Sequence, residues 1–408
     1  MILIYMNTKE WGGVDVIVER FAAFLHQRGL EFAIVDEEGS RLRERFPSAT
    51  FYSNSEVETL SGRVRHIFLP SVSKLHDPHL PLLLLKNANV FSWVVHPNDV
   101  FRGFFPLSGK LLDSVGYKAV PILRTLIPKH RKIFDAFFEV MVARGALSVM
   151  DGATARSLHY YVPSIAPKAI HVIPVPSPIA QCPAKQISKR YTAGGRVSIG
   201  YLGRMDIMKW SAIKSFVESS LVPLARVRKV AFHVVSEGGF TDELRKICTA
   251  NNIEIFVYGY QPNQTAREII STKTDLAIAM GTSALDIAAS HHPCVIIDPA
   301  VVPRASPQRL FRFVHEIEGF TLGEFRDFPY YEKGIHDIES VFRESELIGA
   351  ADLGYDYVAA NHDPAVCFTG LLRRIQESTL SAGEAHELVT ELTSSFARAK
   401  FNPLSWFN

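Results

Sequence analysis

Val197-Ser198-Ile199-Gly200-Tyr201-Leu202-Gly203-Arg204, with Lys209 five residues after the arginine, is the stretch on which the fold turns. A short apolar run that stops at a glycine reads as a buried strand emptying into a loop. The same grammar then repeats. Trp210–Ser220 reads as a helix, Val230–Ser236 as a strand and Thr241–Asn251 as a helix. Glu254–Tyr258 reads as a strand, Gln264–Ser271 as a helix, Asp275–Met280 as a strand, Ser283–His291 as a helix and Cys294–Asp298 as a strand. Short strands alternating with helices predict a doubly wound parallel sheet.

Upstream, the chain opens in the same way. Ile2–Met6 is a strand candidate, Gly12-Gly13 lies in a polar turn, Val14–Arg28 is apolar at helical spacing and stops at Gly29, and Glu31–Asp36 is a second strand. Arg65–Leu69, Val90–Val95 and Leu147–Met150 continue the series. Residues 172–196, proline-dense and then polar up to Gly194-Gly195, read as the linker. At 408 residues the chain suits two domains. The expectation is α/β, with two Rossmann-like doubly wound domains facing a cleft: 1–180 and 195–384, the last helix (Ala382–Ala399) and residues 385–408 returning to the first.

Composition excludes several classes. Apolar residues make up 47% and charged residues 21%, which is globular rather than disordered. Residues 1–190 hold 23 Lys and Arg against 16 Asp and Glu, and the remainder 21 against 26, so the halves differ in sign. Neither imbalance suits a dedicated nucleic-acid binder. Cys182, Cys248, Cys294 and Cys367 form no close pair, as expected of reduced thiols in the cytoplasm. No apolar run approaches the ~20 residues that span a bilayer. Residues 102–144 interleave eight Lys and Arg with pairs such as Phe104-Phe105 and Phe137-Phe138. That stretch suits either peripheral contact with an anionic membrane face or a solvated helix packed on its own sheet.

The chemistry is sought where parallel strands end. Arg204 brings a planar donor fork and Lys209 a compact charge, which together suit a diphosphate. The alternative is two solvated surface cations. Gly281-Thr282-Ser283 follows the strand Asp275–Met280, allows close backbone approach and offers helix amides to phosphate, with Asp286 one turn on as an acceptor for ribose hydroxyls. Its structural alternative is a tight turn with Ser283 as N-cap and Asp286 as capping-box partner. Gly238 and Tyr260 follow the next two strands, as a ligand rim with a base-stacking ring or as ordinary turns. His96, at the end of Val90–Val95, is placed to contact a sugar hydroxyl or move a proton, or else caps the turn before Pro97. Asp-x-Asp, His-Glu-x-x-His, Walker A and Gly-x-Ser-x-Gly motifs are all missing, so no metal is expected and protein cations must neutralise the leaving group.

These residues resemble GT-B glycosyltransferases, and within them the retaining family 4. Tyr201-Leu202-Gly203-Arg204 with Lys209 is similar to that family's Gly-Arg-x4-Lys, which implies diphosphate binding. Met280 to Asp286, then Pro293-Cys294-Val295-Ile296, is similar to its acidic helix start and following strand, which implies a ribose contact for Asp286. Lys168 to Pro174 resembles its interdomain link, Gly12-Gly13 its N-terminal glycine pair and His96 its cleft histidine. The resemblance covers roughly residues 1–300. It implies transfer from a nucleotide-diphosphate sugar, without metal or other cofactor, to a glycan or lipid-linked acceptor in cell-surface polysaccharide synthesis. Three positions depart: Ile278 stands where the family has its first acid, Asp286 replaces a glutamate and Trp210 replaces a glycine. A sugar-nucleotide epimerase and a non-catalytic sugar-nucleotide-binding subunit are the rival readings.

Overall fold

The computed structural model describes residues 1–7, 13–95, 128–178, 195–299, 307–326, 328–329 and 331–401. The described residues fall into two compact α/β units. One takes the chain up to Pro176 and again from Ala365; the other is Ser177–Pro364.

The first unit is built on seven parallel strands: β1 (Ile2–Tyr5), β2 (Phe32–Val35), β3 (Phe51–Tyr52), β4 (His66–Leu69), β5 (Asn89–Val94), β6 (Leu147–Val149) and β7 (His171–Val172). Their order is β3-β2-β1-β4-β5-β6-β7, which reverses between β1 and β4. Helix α1 (Gly13–Gln27) buries Ile17, Val18, Phe21, Ala22, Phe24 and Leu25, the stripe its sequence announced. It stops at Gly29, whose φ of +64° lets the next amide, that of Leu30, reach back to Leu25. α2 (Pro128–Ala143) and α3 (Gly152–Tyr161) follow.

The second unit carries β8 (Val197–Leu202), β9 (Val230–Val235), β10 (Glu254–Val257), β11 (Leu276–Ala279) and β12 (Cys294–Ile296) in the parallel order β10-β9-β8-β11-β12. Between them run α4 (Ile207–Phe216), α5 (Thr241–Ala250), α6 (Asn263–Lys273) and α7 (Thr282–Ala288), and α8 (Glu344–Asn361) comes after. Both faces of this sheet are buried. Along β11, Leu276 and Ile278 enter one core with Ile199, Tyr201 and Phe232, while Ala277 and Ala279 enter the other with Leu285 and Ile287. Gly200 of β8 lies under α6, where an added Cβ would sit 2.8 Å from Ile270 Cδ1.

The chain returns to the first unit at Ala365, not near residue 385. The reason is α9 (Pro364–Glu377), whose Phe368, Leu371 and Ile375 join the core of Ile4, Phe21 and Phe91. α10 (Ala382–Phe401) packs on α2. The first crossover, between Pro176 and Ser177, falls inside the expected linker and near its start. His171–Val172 pairs with β6, Trp93 Nε1 donates to the Ile173 carbonyl at 3.2 Å, and Val175 is buried in the first core.

Candidate functional site

Where strand order reverses in a parallel sheet, the loops leaving the two central strands diverge and open a crevice. In the second unit those strands are β8 and β11. Gly203 follows β8 with φ +153° and Gly281 follows β11 with φ +63°, conformations that L side chains rarely adopt. A Cβ on Gly203 would stand 2.9 Å from Tyr201 Oη and 3.8 Å from Ser283 Oγ, so the two turns lie together. The buried Tyr201 hydroxyl donates to the Arg204 carbonyl at 2.8 Å and braces the first turn. Burial pushes its pKa upward.

Arg204 is exposed at this turn. Two residues on, Asp206 caps α4, its carboxylate accepting the Lys209 amide at 3.1 Å. Lys209 therefore sits in the first helical turn and not on a free loop. Its side chain is half-buried, and among the described residues its ammonium has no hydrogen-bond or ion-pair partner. Burial lowers its pKa; the Asp206 charge works against that and the Arg204 charge adds to it. Lys209 thus keeps its ammonium partly out of water, within the fields of both the Asp206 carboxylate and the Arg204 guanidinium.

The second turn differs from its structural expectation. Gly281, not Ser283, precedes α7, and no side chain caps that helix. The left-handed glycine swings the chain into helix before Ser283 can occupy the cap. The Gly281 amide is held by the Leu322 carbonyl at 2.7 Å. Asp286 is 8% exposed and takes no capping role. Its carboxylate accepts from Arg267 Nη2 at 2.9 Å, Ser177 Oγ at 3.2 Å and Asn263 Nδ2 at 3.4 Å.

No protein-family model matches the sequence, and neither does any curated protein. Solved structures do match. A glycosyltransferase from Rickettsia africae is 14% identical over 92% of this chain and 97% of its own, with a TM-score of 0.58. S. aureus TarM, in a structure with fondaparinux, alpha-GlcNAc-glycerol and UDP, is 11% identical over 92% and 99%, with a TM-score of 0.52. The lipopolysaccharide outer core galactosyltransferase WaaB is 11% identical over 98% of each chain, with a TM-score of 0.50. This chain has the GT-B glycosyltransferase fold.

Within that GT-B frame, Ile278, where the resemblance implied an acid, is fully buried in the core of the second sheet and offers no group to a ligand. Trp210 is buried too, stacked on Phe240 with centroids 5.3 Å apart, which accounts for a large ring after Lys209. Gly238 (φ +142°) is a packing glycine, since a Cβ there would lie 2.5 Å from the Met205 carbonyl oxygen. It thereby fixes the loop that carries Arg204. Tyr260 is 69% exposed beyond β10. Thr282 and Ser283 are half-buried in the first turn of α7, and Gly13 is exposed at the start of α1. Gly12 and His96 lie outside the described residues, as does the 102–127 part of the basic stretch. In its described part, Phe134, Phe137, Phe138 and Met141 are buried, so these aromatics pack inside their own unit and not on a membrane. No helix among the described residues is long and apolar enough to cross one.

Two residues escaped the sequence reading. Asp206 had a signal, an aspartate three residues before Lys209 at a helix start. Arg267 had none, because its partner becomes visible only when α6 packs beside α7.

Proposed function

We propose that this GT-B chain binds a nucleotide-diphosphate sugar in its second unit and transfers the hexosyl group, without a metal, to a glycan or lipid-linked acceptor of cell-surface polysaccharide synthesis. The observation that carries this is Lys209, a half-buried ammonium lacking an anionic contact beside Arg204 at the reversal point of the sheet. In transfer, the bond from the anomeric carbon to the diphosphate oxygen breaks, a bond to the acceptor oxygen forms, and the acceptor proton leaves. Negative charge grows on the diphosphate, and Lys209 and Arg204 stabilise it without waiting for solvent to reorganise. Gly203, Gly281, Thr282 and Ser283 keep the backbone near the phosphates, and Gly238 keeps the Arg204 loop in place. Tyr260 stacks on the base, and Asp286 holds the ribose end through the lone pairs its three donors leave. Gly12, Gly13 and His96 serve the acceptor side. UDP in the TarM structure, and the lipopolysaccharide named for WaaB, support the donor and acceptor classes. The protein works in the cytoplasm, peripherally at the membrane face.

A thermal-shift screen against UDP-, GDP-, ADP- and CMP-sugars tests the donor, because a ligand of the folded state raises its midpoint by mass action. Stabilisation by none of them rejects the proposal. The buried Ile278 favours a second reading, a donor-binding subunit without turnover. Donor binding with neither transfer nor hydrolysis across an acceptor panel selects it.

A further inference from the structure

The chain enters the second unit through Val175-Pro176-Ser177-Pro178. The two prolines stiffen this entry, because each fixes its own φ and Pro178 restricts Ser177 to extended backbone. Proline has no amide, so from Pro176 to Pro178 the only backbone N–H and the only polar side chain belong to Ser177. Ser177 is buried, and both of its donors are used. Its amide donates to the His362 carbonyl at 2.9 Å, and its hydroxyl donates to Asp286 Oδ1 at 3.2 Å.

Those two partners belong to different segments. His362 is the buried residue that ends α8, just before the chain leaves this unit at Pro364. Its ring packs against Phe320 and Tyr357, with centroids 5.8 and 5.5 Å away. Asp286 lies on α7, which α8 touches closely enough that a Cβ at Gly354 would stand 3.5 Å from Ala288. Entry and exit are therefore hydrogen-bonded to each other within the second unit, and the Ser177 hydroxyl ties both to Asp286.

The carboxylate is loaded unevenly. Oδ1 accepts from Arg267 Nη2 at 2.9 Å as well as from Ser177, whereas Oδ2 has only Asn263 Nδ2 at 3.4 Å among the described residues. That last distance is beyond the usual range for an N–H···O bond, and a carboxylate oxygen has room for about two donors. The Asp286 side chain keeps 12% of its surface open to solvent. A ligand hydroxyl that donates to Oδ2 would fix the plane of the carboxylate and, with it, the oxygen that holds Ser177.

We propose that Ser177 is a positioning residue through which a nucleotide bound at Asp286 tightens the crossover of the chain. The proposal rests on Asp286 as the ribose contact of the proposed function. Coupling of this kind is reciprocal: a nucleotide that suppresses opening of the crossover also binds more tightly because the crossover is held.

The test reads hydrogen exchange of the full chain by mass spectrometry, with nucleotide affinity measured by calorimetry. A peptide spanning 173–178 carries amides only on Ile173, Val175 and Ser177, so the entry is read almost alone. Whichever of UDP, GDP and ADP binds slows exchange there by roughly fivefold or more at saturation. Inorganic pyrophosphate, which brings charge to Arg204 and Lys209 but no hydroxyl to Asp286, does not slow it. Ser177→Ala keeps the amide bond to His362 and loses the hydroxyl; it binds the same nucleotide roughly fivefold more weakly, and saturation then slows exchange by less than about twofold. Equal slowing in Ser177→Ala overturns the proposal, as does slowing by pyrophosphate or a bound nucleotide that leaves wild-type exchange unchanged. In each of those cases the donor reading stands. Failure of all three nucleotides to bind rejects the donor reading and this coupling with it.

Discussion

Lys209→Met separates binding from folding more sharply than any other single change. The substitution keeps most of the stem's apolar length and removes only the ammonium. In the unliganded protein that ammonium is a liability, because burial already lowers its pKa and its neighbour Arg204 has the same sign. A lysine depressed in this way leaves the folded state with fewer bound protons than the unfolded chain between its folded pKa and about 10.5. Its penalty is full below that window and fades as pH rises through it. A methionine side chain carries no such penalty, so the variant's midpoint equals or exceeds that of the wild type at neutral pH. Diphosphate binding moves the opposite way. A charge-assisted hydrogen bond is worth about 1.5–3 kcal/mol, so losing it weakens UDP roughly 10- to 150-fold. Bound diphosphate also raises the lysine pKa, so in alkaline buffer wild-type binding takes up protons and Lys209→Met binding takes up fewer. Calorimetry in two buffers of different ionisation enthalpy measures affinity and proton uptake together. A lower midpoint with unchanged UDP affinity would show that Lys209 stabilises the fold and has no part in the site.

Other perturbations probe the supports of that site. Asp286→Ala strands the largely buried Arg267 guanidinium and costs about 3 kcal/mol, whereas Asp286→Ala combined with Arg267→Met costs less than the single change; chemical denaturation of the two variants checks the sign. Gly238→Ala must displace the Met205 carbonyl and lowers both midpoint and UDP affinity, while Gly239→Ala, with nothing within 4 Å, leaves both unchanged. Asp298, buried and bonded to Arg312, Gln308, Tyr331 and the Glu324 amide, ties the loops beyond β12 together. Asp298→Ala therefore destabilises the second unit by about 3–5 kcal/mol in denaturant titration. Burial lowers the pKa of His233 to about 4, so the unfolded chain binds more protons between there and 6.5. Stability rises with pH across that window, and His233→Phe flattens the rise in midpoints recorded from pH 4 to 7.

The second sheet was legible because both of its faces are buried, so its strands read as apolar runs alternating with helical stretches. Val197–Leu202 was readable residue for residue, as an apolar run ending in glycine. β3 and β7 were not readable, since Phe51-Tyr52 and His171-Val172 are two residues each and carry no alternation. α8 hid for a different reason. It packs through small residues such as Ala350 and Ala351, and its Gly354 would place a Cβ 3.5 Å from Ala288, so no stripe of large apolar residues marks its face. α9 shows a stripe, but a stripe says that a helix is buried and not which sheet buries it. Only the contacts of Phe368 with Phe21 and Phe24, at centroid distances of 5.4 and 5.6 Å, assign it to the first unit.

The site divides along the same physical line. What depends on residue type and local spacing was visible: a guanidinium and an ammonium near the end of a strand, and glycines where the backbone must turn left-handed. What depends on packing was not. That Asp286 meets the Arg267 guanidinium is decided by the approach of α6 to α7, and the sequence of α7 carries no trace of it. The same holds for Ile278, where the resemblance implies an acid but only the residue's place in the core shows why an apolar side chain stands there. β11 alternates strictly between two cores, and a carboxylate at that register would be buried against Tyr201 in an apolar cluster. An acid at the ligand end of this sheet would therefore have to come from a loop rather than from position 278. Ile278→Glu should lower the melting midpoint and leave transfer activity no higher than that of the wild type.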